Sequence, residues 1–139
     1  MIKERDVTTL KMPFPDISSG LALSAHMYIC YESGESKKMF KVQSLKPRHL
    51  MNMPANNCII EEKDIQRNPF NKKSIIDLDK YFLLERVRIK EWVLAKTRRD
   101  ICSDLYNKIR EETEDLSICH EQKMNVDEIV TLNKAVSKI

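Results

Sequence analysis

Nowhere does this sequence hold an apolar run long enough to cross a bilayer. Its opening "MIKERDVTTLK" alternates charged with apolar residues and so lacks the continuous hydrophobic region of a secretory signal. These absences predict a cytoplasmic chain with no membrane partner. A Cys-x-x-Cys pair is missing too. Cys30, Cys58, Cys102 and Cys119 lie far apart, which indicates neither a zinc site nor a disulfide framework and predicts reduced, mostly buried thiols. No metal and no cofactor is expected. Nor does one sign of charge dominate, because a formal net charge of +3 over the whole chain says little about partners.

What is present fits one domain. A chain of 139 residues buries roughly two-thirds of the surface it exposes when unfolded, enough for a real core. The charge is unevenly placed. "RVRIKEWVLAKTRR", residues 86 to 99, is strongly basic, whereas "EETEDLSICHEQKMNVDE", residues 111 to 128, is mostly acidic. The reading is one basic face and one acidic end.

Strand signals fill the first two-thirds of the chain. "DVTTLKM" reads as a first strand and the Pro- and Ser-rich "PFPDISSG" as a loop. A second strand is expected from about Leu21 to Tyr31, and the turn "ESGESK" leads into a third, "KMFKVQSL". Pairing about Gly34 places His26 near Val42 or Ser44, at the 4.5 to 5.5 Å typical of cross-strand Cβ atoms. "KPRHLMNMPANN" reads as a long exposed loop, "NCIIEE" as a short strand, and "SIIDLDKYFLLE" and "RVRIKEWVL" as later strands. Helical spacing appears only afterwards. "KTRRDICSDLYNKIREE" repeats Ile101, Leu105 and Ile109 with Thr97 as N-cap, and "NVDEIVTLNKAVSKI" starts a second helix at Asn125. Strands first and helices last predict an α+β fold, a small curled sheet or partly open barrel of five or six strands. Residues 1–115 would hold the barrel and its closing helix, and 116–139 an acidic linker and an amphipathic tail helix.

The order of these elements resembles the MazF/PemK-type toxins and the related ToxN-like toxins, across about residues 5 to 112. The resemblance is carried by the "RDV" strand, the loop ending at Gly20 before "LSAHMYIC", the strand "MFKVQSL", and "NKKSIIDLDKYFLLERVRIK" ahead of "RRDICSDLYNKI". It implies an SH3-like barrel and metal-independent cleavage of single-stranded RNA, with a protein or RNA antitoxin as partner and homodimerisation open. In the MazF/PemK pattern an Arg-Pro pair opens the second strand, where this sequence has Ser24 and Ala25. Ser44 occupies the place of the Thr or Ser ending the next strand, and Lys46 matches the Lys that ToxN-like proteins place two residues beyond. Another cation then does the work of the lost arginine, or the activity is gone.

Cleavage by the ribose 2′-OH requires a proton acceptor, a proton donor and a cation for the charge that develops on the phosphorane. His26, Ser44 and Lys46 are the candidate catalytic residues: an imidazole exchanges protons near neutral pH, the hydroxyl holds a phosphate oxygen and the ammonium meets the charge. Arg48, His49, Arg86, Arg88 and Lys90 are the candidate RNA contacts, and Tyr28, Phe70 or Tyr81 would stack a base. The plainer readings are a packing histidine and a solvated basic loop, on an SH3-like RNA- or protein-binding adaptor such as a mobile element would encode.

Overall fold

A computed structural model describes residues 1–114 and 119–139. The fold is α+β. In chain order it holds β1 (Val7–Leu10), α1 (Gly20–Leu23), β2 (His26–Glu32), β3 (Lys37–Ser44), β4 (Cys58–Glu61), β5 (Ser74–Asp77), β6 (Lys80–Leu84), β7 (Val87–Ile89), α2 (Ser103–Glu112), β8 (His120–Lys123), α3 (Val126–Leu132) and β9 (Val136–Lys138). Short 3-10 turns stand at Pro47–Leu50 and Glu91–Val93. Seven strands form one sheet that does not close into a barrel, and β7 and β9 form a separate antiparallel pair.

β3 is the hub of this sheet. One edge pairs with β2, while the other is shared: Lys37–Met39 pairs with β6, and Val42–Ser44 pairs with β5. β4 extends the β5 branch, and β8 joins β6 in parallel. The sheet therefore forks on that edge of β3 between Met39 and Val42.

Period-two alternation on β2 and β3 fills two cores. Tyr28, Cys30 and Met39 enter one, which β7, α3 and β9 close with Val87, Ile129 and Val136. Ile29, Phe40 and Val42 enter the other, covered by Leu105, Tyr106 and Ile109 of α2. Full burial of such a side chain contributes roughly 1.5–3 kcal/mol. Both faces of the hairpin are thus anchored.

Several expectations change. The second strand begins at His26, because Ser19 caps a short helix at Gly20–Leu23, its side chain accepting from the Ala22 N–H at 3.4 Å. The hairpin register is Tyr28 opposite Lys41 and Cys30 opposite Met39, with an irregularity between Cys30 and Glu32. That bulge slips the pairing by a residue relative to counting from Gly34. The helix expected from Thr97 begins at Ser103, where the Cys102 Sγ accepts from the Leu105 N–H. Residues before it are drawn to β1 instead: the Val7 N–H donates to the Arg99 carbonyl at 2.7 Å, and the Ile101 N–H to the Arg5 carbonyl at 2.9 Å.

The acidic stretch also behaves differently from a linker where it is described. Its polar "HEQK" is β8, made a strand by parallel pairing with Lys80–Leu83. Asn125 caps α3 as expected, accepting from the Glu128 N–H at 3.1 Å. The helix stops at Leu132 because Asn133 turns back onto Lys11, accepting from its N–H at 2.9 Å and donating to its carbonyl at 2.8 Å. Met124, Ile129, Ala135 and Val136 belong to the first core. The boundary expected at 115/116 lies outside the described residues.

Candidate functional site

Beside the C-terminal end of β3 lies a cavity of about 340 Å³. Ala25, His26 and Met27 of the β2 start form one wall, Val42, Gln43 and Ser44 of the β3 end the floor, and Lys46 and Arg48 the rim. Phe70, Asn71 and Ser74 complete it from the segment that enters β5. Its lining carries two cations and a histidine but no carboxylate. This composition suits an anion, and the volume lies within the usual range for small-ligand sites.

Each side chain has a local reason for its place. The last ladder pair is Met27 opposite Val42, so His26 comes next to Gln43 rather than Val42 or Ser44, and the ideal pleat sends His26 and Ser44 to opposite faces. They share the cavity because it opens where the ladder ends. The His26 Nδ1 lies 2.9 Å from the Ser24 carbonyl. A carbonyl only accepts, so Nδ1 carries the proton and Nε2 is the ring nitrogen left for proton exchange. Ser44 is paired with Ser74 of β5 and half-buried. The Leu45 N–H donates to the Lys73 carbonyl at 2.8 Å, extending the ladder to the lip of the cavity.

Lys46 and Arg48 are displayed by a braced turn. The Lys46 N–H donates to the His49 Nδ1 at 3.0 Å, while the His49 N–H donates to the Lys46 carbonyl at 2.8 Å, and Pro47 opens the turn. His49 is therefore not the surface RNA contact that the sequence suggests. Its ring is buried, and its pKa is lowered, first by desolvation and then by Arg48, Lys46 and Lys41. Neutral His49 is the form that can accept from Lys46, so it positions the rim. Lys46 and Arg48 are exposed, and neither belongs to an ion pair among the described residues.

The other candidate cations lie elsewhere. β7 leans on the turn end of the hairpin, with the Val87 N–H bonded to the Glu35 carbonyl. From Lys37 to Ser44 the strand climbs about 23 Å at roughly 3.3 Å per residue. Arg88 and Lys90 line a different cavity, of about 450 Å³. Arg86 precedes the strand in a left-handed conformation, φ 52°, and pairs with Glu35 at 3.3 Å. Arg98 bonds Asp100 and Arg99 bonds Asp6. The basic segment thus forms no single face, and half of its cations are paired with carboxylates.

The aromatic residues also sort differently. Tyr28 is fully buried, Phe70 is buried in the cavity wall, and the Tyr81 hydroxyl donates to Glu121 at 3.1 Å on β6, away from the cavity. Trp92, absent from the sequence-based candidates, is 57% exposed. The four cysteines are free thiols. Among the described residues no group of acidic, His and Cys side chains could hold a metal ion, and no helix is long and apolar enough to cross a membrane. No family model, curated protein or solved structure matches this chain.

Proposed function

We propose that the chain is a metal-independent endoribonuclease of the MazF/ToxN-like toxin type, built on an SH3-like open sheet, with the cavity at the end of β3 as its active site. One observation carries this reading: His26, Ser44, Lys46 and Arg48 all line the same carboxylate-free cavity. Arg48 is the cation that fits the role left vacant at Ser24 and Ala25.

In the proposed reaction the His26 Nε2 takes the 2′-OH proton of the bound nucleotide. The P–O2′ bond forms and the P–O5′ bond breaks, leaving a 2′,3′-cyclic phosphate. The departing 5′ oxygen takes a proton from the imidazolium or from water. Lys46 and Arg48 meet the phosphorane charge, and Ser44 donates to a phosphate oxygen. An antitoxin that occludes the cavity would restrain it in the cytoplasm. The test is incubation with end-labelled single-stranded RNA in EDTA. Fragments ending in 2′,3′-cyclic phosphate support the reading. RNA that binds uncleaved assigns the chain to the adaptor class instead.

A further inference from the structure

A second cavity, of about 440 Å³, adjoins the cationic one, and Met27 and Asn71 line both. We propose that it is a nucleobase subsite in which Trp92 stacks on the base next to the phosphate held by Lys46 and Arg48. This rests on the RNA reading above and adds the element that reading lacks, a place for the base.

The wall of this second cavity is mainly apolar, with Pro69, Val93, Leu94 and Ala95 beside Trp92 and Met27. Trp92 stands on the 3-10 turn between Glu91 and Val93, and the turn is fixed rather than loose. The Leu94 N–H donates to the Glu91 carbonyl and the Ala95 N–H to the Val7 carbonyl, both at 2.9 Å. Val93 and Leu94 are buried while Trp92 between Glu91 and Val93 is 57% exposed. The fold therefore anchors both following residues and leaves the largest aromatic side chain outside. Lys96 lines the same cavity and donates from Nζ to the Trp92 carbonyl at 2.7 Å, bringing another cation to its edge.

A single-stranded nucleotide has the same two parts, a charged phosphate and a flat apolar base joined by a short sugar. Two cavities with a common wall, one cationic and one apolar with an open indole, match that pairing of chemistries. Base-to-aromatic stacking tolerates any base, because each has a π-face.

The sequence contains a single tryptophan, so intrinsic indole fluorescence reports on this position alone. Titration of the full chain with an oligouridylate should quench it, whereas inorganic phosphate should not. Trp92→Ala should weaken oligonucleotide binding about five- to a hundredfold, and Trp92→Phe should retain most of it, with circular dichroism checking that both remain folded. An oligonucleotide made abasic at successive positions should include one position at which Trp92→Ala has no further effect. Wild-type binding without quenching, and of equal strength in Trp92→Ala, overturns the base subsite and leaves the RNA reading standing. Failure of the wild type to bind any single-stranded RNA overturns both.

Discussion

The two ends of β3 each carry a lysine, and the two lysines have different tasks. Lys37, at the turn end, is 6% exposed, and its Nζ donates at 2.7 Å to the carbonyls of both Gly34 and Val87. Burial lowers its pKa, yet its hydrogen bonds are spent on tying β7 to the hairpin. Lys46, just past the other end, is exposed and faces a cavity without a carboxylate. Between them Lys41 approaches the buried Asp77 at 3.9 Å. What a cation does here depends on what its neighbours have left unsatisfied, and of these three lysines Lys46 is the one that leaves its charge to a ligand.

The largest effect expected from this contrast is on catalysis. His26→Ala should lower cleavage by about a hundred- to ten-thousandfold, the usual worth of a general acid or base, with stability changed by less than about 0.5 kcal/mol. Single-turnover cleavage alongside urea unfolding measures both. At the other end, Lys37→Met removes the donor to two carbonyls and should cost about 1–3 kcal/mol in urea unfolding. A smaller effect concerns RNA binding. Lys46→Ala with Arg48→Ala should flatten the plot of log affinity against log salt by about 1.4 for a short single-stranded oligonucleotide. Arg86→Ala, Arg88→Ala and Lys90→Ala together should flatten it less. A larger change from the turn-end set would reverse the comparison.

The smallest expected effect is on pH dependence. The folded His49 pKa lies below its ordinary value of 6.5, so the unfolded chain binds the proton more readily. The resulting stability is complete above the unfolded value and is lost as pH falls through the lower folded one. His49→Asn keeps an acceptor for the Lys46 N–H without titrating. Unfolding midpoints measured from pH 7 downward should therefore fall less steeply below about 6.5 in this variant.

The hairpin and the cap at Asn125 were legible because local signals decide them: alternation, a Gly turn and a side chain able to cap. The bulge after Cys30 was not, since nothing in the pattern marks one extra residue. β8 was also invisible. "HEQK" has no apolar alternation and is a strand only because β6 supplies an edge. The same divide runs through the site. His26, Ser44, Lys46 and Arg48 come from one continuous stretch, so hairpin geometry brought them together on paper. Phe70 and Asn71, and Trp92 beyond them, reach the site through long-range packing. His49 misled because a buried ring that accepts from its own turn has the same sequence appearance as a basic contact.

A matched pair of rates separates the two ends of β3 most directly. Lys46→Ala and Lys37→Met are assayed with single-stranded RNA in EDTA, at a temperature where urea unfolding shows both fully folded. Lys46→Ala should lose at least about a hundredfold in formation of 2′,3′-cyclic phosphate ends, while Lys37→Met should cleave at the wild-type rate. Equal rates in the two variants, or no cyclic phosphate from the wild type, would contradict the proposed site.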